Sequence, residues 1–219
     1  MEADSRPASE HDAEIRLHLT WPHATTNRAV PALLWLEPLS GTPAVPFVSK
    51  EHYTLLQKNR MFLPHLLVVP VGAVVQFPNK DPFFHNVFSL FDGKRFDLGL
   101  YEAGSSKSVS FSREGVSYIF CNIHPEMSAV VVALSTSLYA VADHTGSFSL
   151  ASIPPGDYRL HLWIEGIPLS ALDAMSRPVH IAAGILDLGD LSVPGNSSQT
   201  KSHSNKFGQA YAPSSKSPY

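Results

Sequence analysis

The chain of 219 residues is 44% hydrophobic and only 16% charged, with 16 Lys and Arg against 19 Asp and Glu for a net charge of −3, the composition of an ordinary globular protein. Residues 193–219 hold three lysines and no acid, so the rest of the chain carries −6, which excludes sequence-independent nucleic-acid binding because that draws on a basic surface. No run approaches the roughly 18–20 apolar residues of a transmembrane helix, and a single cysteine excludes an internal disulfide and any cysteine-rich zinc or iron–sulfur site.

The 18 prolines and 13 glycines are spread along the whole length, a pattern of short strands joined by turns, and the predicted fold class is all-β. Residues 1–12 are polar and acidic and read as a disordered lead-in. From Glu14, Ile15, Leu17, Leu19 and Trp21 alternate with Arg16, His18 and Thr20, the period of a half-buried strand. A second apolar run, Ala32 to Leu36, stops at Glu37-Pro38, and the irregular stretch from Leu39 to Arg60 is predicted to contain a short helix near Tyr53 to Gln57.

Strands are predicted at Leu66–Val69 and Ala73–Phe77, separated by the turn Pro70-Val71-Gly72, then at HNVFSL after the loop PNKDPFF, and at Lys107–Phe111. In the strand after Gly115, Val116, Tyr118 and Phe120 share one face while Ser117, Ile119 and Cys121 share the other. Ala129–Leu134 is apolar throughout, as a strand buried on both sides would be. A second unit is predicted over 135–192, with turns at Asp143–Gly146 and Pro154-Pro155-Gly156, strands at Phe148–Leu150 and Tyr158–Leu162, and closing strands from Val179. Residues 193–219, rich in Ser, Asn, Lys and Pro, read as a disordered tail.

The chemistry concentrates in CNIHPEM, where Cys121, His124 and Met127 set a thiol, an imidazole and a thioether within seven residues at a strand end. Thiolate and thioether favour copper, imidazole accepts either oxidation state, and a trigonal site of two His and one Cys with a weak axial Met serves both. Such a site needs a second histidine. His85, 36 residues upstream, is the best placed, because it starts a strand after a proline-containing loop and can face the cysteine loop from a neighbouring strand end.

Val68 to Leu134 resembles a cupredoxin of the plastocyanin and amicyanin type, through PVGAVVQFPNKDPFFHNVFS and YIFCNIHPEMSAVVVAL. The His-Asn pair is His85-Asn86, and the compact Cys-x2-His-x2-Met loop with Pro125 after the second His is most similar to amicyanin. The resemblance implies a Greek-key sandwich over 13–134 holding one type 1 copper, with Cys121 the thiolate of an intense blue band, His85 and His124 the imidazoles and Met127 the axial ligand. It also implies that Asn86 hydrogen-bonds across to the cysteine loop. Electrons would pass through the exposed edge of His124 inside an apolar docking rim of Phe83, Phe84 and Pro125, to or from a redox protein partner. Residues 135–192 resemble the carboxypeptidase regulatory-like, or transthyretin-like, β-sandwich module, through Asp143, Gly146, Phe148, Pro154-Pro155-Gly156 and Tyr158, and the pairing is similar to bacterial proteins related to methylamine utilisation. Those are turn and core residues that imply a fold and no catalytic role.

The stretch MEADSRPASEHDAE has neither a basic leader nor an apolar run, so a periplasmic or extracellular location is implied by the resemblance alone. Zinc is the rival metal, since one Cys and two His hold catalytic zinc with an open position and Glu126 is available as a base, but zinc gains little from the thioether of Met127. No His-x-His pair of a trinuclear copper cluster is present, nor G-x-S-x-G, a Gly-rich phosphate loop or H-E-x-x-H, and the chain is read as a non-enzyme. His18 and His161 are predicted to face solvent, His11 and His203 to lie in disordered ends, and His65 to be exposed or next in line as a ligand. The alternative function is a copper storage, delivery or cell-surface module without an electron-transfer role.

Overall fold

A computed structural model describes residues 13–21, 30–47, 50–90 and 93–193. The predicted lead-in, and the predicted tail apart from Val193, lie outside the described residues. Among the described residues the fold is all-β with one short helix. The strands of the first 70 residues are β1 (Ala13–Thr20), β2 (Ala32–Pro38), β3 (Tyr53–Thr54), β4 (Leu56–Lys58), β5 (Met61–Leu63) and β6 (Leu66–Pro70). They are followed by β7 (Val74–Pro78), β8 (His85–Ser89), β9 (Phe96–Tyr101), β10 (Ser106–Ser110), β11 (Gly115–Phe120) and β12 (Ser128–Leu134). The last elements are β13 (Tyr139–Val141), β14 (Ser147–Ile153), β15 (Gly156–Ile164), α1 (Leu169–Met175), β16 (Arg177–Ile181) and β17 (Gly184–Ser192). No helix among the described residues is long and apolar enough to cross a membrane.

The chain divides into two units, and the division departs from the predicted boundaries. One unit takes Met1–Pro46 together with Thr136–Thr200; the described residues of the other all fall within Phe47–Ser135. The strands β1 and β2, assigned from sequence to the copper domain, belong to the sheets of the C-terminal unit. There β1 lies between β14, antiparallel, and β17, parallel, while β2 lies between β13 and β15, with β16 beyond. The reason lies in the burial of their side chains. Ile15, Leu17 and Leu19 on β1 and Leu33, Leu34 and Leu36 on β2 are buried, and a module of 135–192 alone is close to the lower limit for a self-sufficient core. The turn at Asp143–Gly146 forms as predicted: Gly146 has φ +91°, and a Cβ there would meet the Trp21 ring at 2.9 Å.

In the other unit, sheet β6-β12-β11-β8-β9 and sheet β10-β7-β3 contribute to one core that includes Val75, Phe77, Val87, Tyr101, Phe111, Ile119 and Val131. The run Ser128–Leu134 becomes β12, hydrogen-bonded to β6 on one side and β11 on the other, which explains why Ala129 to Leu134 are all buried. The helix predicted near Tyr53–Gln57 is absent. Tyr53, Leu55 and Gln57 are buried and Thr54 and Lys58 exposed, a period of two that places β3 along β7 and β4 in a hairpin with β5. That hairpin closes through Asn59 and Arg60, both at φ +56°, in register Lys58 to Met61. Two consecutive left-handed residues in a two-residue loop match the twist of a hairpin.

Candidate metal centre

The donors are gathered by two strand ends. Strand β8 begins at His85 and pairs with β11 through Phe88 and Phe120, so His85 and Cys121, the residue that follows β11, come to the same end of the sheet. The loop from Cys121 then turns back into β12, closed by hydrogen bonds from Cys121 N–H to Met127 O (3.2 Å) and from Met127 N–H to His124 O (3.0 Å). The loop before His85 is held equally tightly. Asn79 accepts from the Asp81 N–H at 3.0 Å and donates to Phe83 O at 2.8 Å.

The outcome is a cluster in which one donor atom each from His85, Cys121 and His124 lies within 4.8 Å of the others. Both imidazoles turn Nδ1 toward the sulfur, at 3.7 Å for His85 and 3.5 Å for His124. These are the spacings of donors that share one ion at bonds of about 2.0 Å for nitrogen and 2.3 Å for sulfur. His85 and Cys121 are fully buried and His124 is half-buried, with ring centroids of the two histidines 4.7 Å apart. Met127 is fully buried in the same core cluster as Cys121.

Burial raises the Cys121 thiol pKa, and the N–H groups of Asn86, Ile123 and His124 directed at the sulfur work the other way by favouring a thiolate. Burial, with His85 and Arg60 nearby, lowers His124 to about 4, so its ring is neutral at neutral pH and its lone pair is available to a metal. His85 is oriented by Asp81, whose Oδ2 lies 2.8 Å from Nε2, leaving Nδ1 to face the thiol. Asp81 is itself 5% exposed and receives the N–H groups of Asn59 at 2.6 Å and Arg60 at 3.0 Å. Burial opposes its ionisation, but the Arg60 N–H, His85 and the Asn59 N–H outweigh it and hold the carboxyl below its ordinary value. The donor set therefore fits a thiophilic metal, with an oriented imidazole and a sulfur already supplied with N–H donors.

Of the residues singled out from sequence, His85, Cys121 and His124 converge, and Met127 is tied to both Cys121 and His124 through its main chain. Asn86 behaves differently from its predicted role. Its side-chain amide donates to Asp97 Oδ1 at 2.7 Å, and the group that reaches the cysteine is its main-chain N–H. Phe83 packs on both rings, at 5.2 Å from His85 and 5.6 Å from His124, and is half-buried, whereas Phe84 is 55% exposed and Pro125 is half-buried. His65 stands outside the cluster, its Nδ1 3.1 Å from Ser128 O. His161, predicted to face solvent, instead stacks on Trp35 and lies 2.9 Å from Glu37 and 3.2 Å from Ser176. Sequence reasoning missed Asp81 and the Asn59–Arg60 turn. The spacing Asp81-Pro-Phe-Phe-His85 was a usable signal for the first, since a carboxylate four residues before a ligand histidine can reach its second nitrogen.

No protein-family model matches the chain, and no curated protein matches it. Solved structures do. A purple cupredoxin from Nitrosopumilus maritimus matches at 24% identity and TM-score 0.34, covering 37% of this chain and 99% of that one. Amicyanin from Paracoccus versutus matches at 18% identity and TM-score 0.35, over 50% of this chain and 94% of its own. A copper-containing nitrite reductase, NirK, from Thermus scotoductus SA-01 matches at 22% identity and TM-score 0.37, over 42% of this chain and 25% of that enzyme.

Proposed function

We propose that the unit within Phe47–Ser135 binds one copper ion of type 1 character and exchanges single electrons with a redox protein. The residues that would hold it in this reading are His85 through Nδ1, Cys121 through Sγ and His124 through Nδ1, with the thioether of Met127 as a further, weak donor. Copper so bound would alternate between Cu(II) and Cu(I). The residues of the chain supply the rest: Asp81 fixes the His85 ring, three N–H groups stabilise the charge on sulfur, and Phe83 shields both rings from water.

The observation that carries the reading is the convergence of two imidazole Nδ1 atoms on one buried thiol. Burial also favours electron exchange over delivery. With His85 and Cys121 at 0% exposure, two of the three converging donors are out of reach of a competing ligand, whereas an electron can pass through the half-buried His124. The test is reconstitution with Cu(II). Expected are an intense visible charge-transfer band, the narrow copper hyperfine splitting of a thiolate site, and a reversible one-electron couple. Binding of Cu(II) without a thiolate band would overturn the ligand assignment, and a site that accepts zinc but yields no couple would overturn the function. The periplasmic or extracellular location implied by the sequence resemblance is tested by fractionating cells that express the full coding region.

A further inference from the structure

A sheet that packs on a core with one face and meets water with the other alternates apolar and polar side chains along each strand. Strand β12 does not alternate. Ala129, Val131 and Ala133 lie in the core of the unit, while Val130, Val132 and Leu134, which point the other way, are only 3%, 1% and 3% exposed. Their neighbours on that outer face are apolar as well. Tyr118 of β11 and Leu66 of β6 stand on either side of Val130, and one step along the sheet Phe120 pairs with Phe88 of β8. Phe88 is fully buried, its ring centroid 5.8 Å from that of Phe120. Neither Val130, Val132, Leu134 nor Phe88 belongs to the core that the two sheets of this unit share. Burial this complete therefore requires a second layer of apolar groups over the outer face.

The chain itself holds a segment of matching chemistry. Beyond Val193 run 26 residues, dominated by Ser, Asn, Lys and Pro, with one apolar stretch at 207–212 that carries Phe207, Ala210, Tyr211 and Ala212. A segment that only needs to be solvated has no use for such a cluster. Phe207 and Tyr211 are four positions apart, so they share one side of the segment whether it is extended or helical. Extended, they are roughly 13 Å apart, close to the roughly 14 Å between the first and fourth strands of a sheet. Two rings so spaced match the breadth of the face from β6 to β8, and ring contacts with Tyr118, Phe120 and Phe88 would add to the burial. The 13 residues between Val193 and Phe207 extend to about 43 Å, more than the roughly 30 Å breadth of a small domain.

We propose that residues 205–213 dock on the outer face of the sheet β6-β12-β11-β8-β9, with Phe207 and Tyr211 over Val130, Val132 and the Phe88–Phe120 pair. The stretch that composition marks as disordered thus carries the cover for a sheet whose last residue, Leu134, lies far upstream in the chain. Phe120 directly precedes Cys121, and Phe88 lies on the strand that begins at His85, so the docked segment backs the two strand ends where the donors meet. The docking stands on burial and apolar pattern and is independent of copper.

The test uses the metal-free full chain with photoreactive p-benzoylphenylalanine in place of Phe207. On irradiation the benzophenone carbonyl carbon forms a C–C bond to a carbon within reach, the hydrogen of the broken C–H bond passes to the carbonyl oxygen, and no other reagent is consumed. Peptide mass spectrometry of the monomer is expected to find the link within 86–88, 116–120 or 128–134. A link elsewhere in the chain, a link between two copies, or no link overturns the docking. In the unmodified chain, nuclear Overhauser contacts are expected from the rings of Phe207 and Tyr211 to the methyl groups of Val130 and Val132, and contacts from those methyl groups to other residues in their place overturn it. Phe207→Ser combined with Tyr211→Ser is expected to raise binding of an apolar fluorescent dye about threefold and to lower the thermal midpoint by about 5 °C. Lys216→Ser, outside the apolar stretch, is expected to change neither. Dye binding and midpoint unmoved in the double variant overturn the proposal, and if that variant fails to fold the ring-to-methyl contacts of the unmodified chain decide.

Discussion

Cys121 stands between two opposed demands. Full burial disfavours the thiolate that a soft metal needs, and three N–H groups aimed at the sulfur favour it. A metal bound there would tip that balance by taking the place of the proton. Cys121→Ser is therefore expected to abolish the visible band while leaving the far-ultraviolet circular dichroism unchanged, because the hydroxyl occupies the same space and the strands do not depend on sulfur. Met127→Gln is expected to retain copper and lower the potential, since an amide oxygen stabilises Cu(II) more than a thioether does; voltammetry checks it. Asp81→Asn removes the anion that orients His85 and is expected to weaken Cu(I) binding by about 10–100-fold in chelator competition. The proximity of Cys121 and His124 was legible in the sequence because they sit three residues apart on one chain segment. Asp81 was not recognised, because its importance depends on where the Asn59–Arg60 turn delivers two N–H groups.

The strands that frame the site follow their hydrophobic pattern closely. Ser117, Ile119 and Cys121 share a face and all three are buried, as the alternation in β11 required. Ile119 is fully buried in the core just behind the cysteine, and Ile119→Ala is expected to cost about 2–5 kcal/mol in denaturant unfolding, through lost burial and the cavity left behind. The helix predicted near Tyr53 illustrates the opposite case. A stretch of five residues is too short for periodicity to separate helix from strand, and the choice is made by β7, whose main chain accepts and donates along β3.

The turn between β13 and β14 offers a pH test at the same level of organisation. Asp143 accepts from the Thr145 hydroxyl and from the N–H groups of Ser147 and Thr145, which hold its pKa down to about 2. Its contribution is thus present above the ordinary carboxyl value near 3.8 and is lost as the pH falls toward 2. Asp143→Ala is expected to lower the thermal midpoint at pH 6, and the difference from the parent chain should shrink between pH 4 and pH 2.

Across the whole chain, the arrangement of units is what the pattern of residues left undetermined. A fragment spanning 47–135 contains both sheets around His85, Cys121 and His124 and is expected to fold, show a cooperative transition and give the spectrum of the proposed copper site unaided. A fragment of 135–192 is expected to remain unfolded by NMR dispersion, because it lacks β1 and β2, the central strands of both sheets in its unit. The sequence by itself determined the all-β class, the positions of most strands and the close spacing of Cys121, His124 and Met127, because alternation and spacing along the chain are local properties of a few neighbouring residues. Only the tertiary structure decided that β1 and β2 belong to the sheets of the C-terminal unit, that Asp81 and a left-handed turn hold His85, and that Arg60 comes to rest on Phe83. Strand pairing joins residues more than a hundred positions apart, and an apolar stripe specifies that it must be covered without specifying by what.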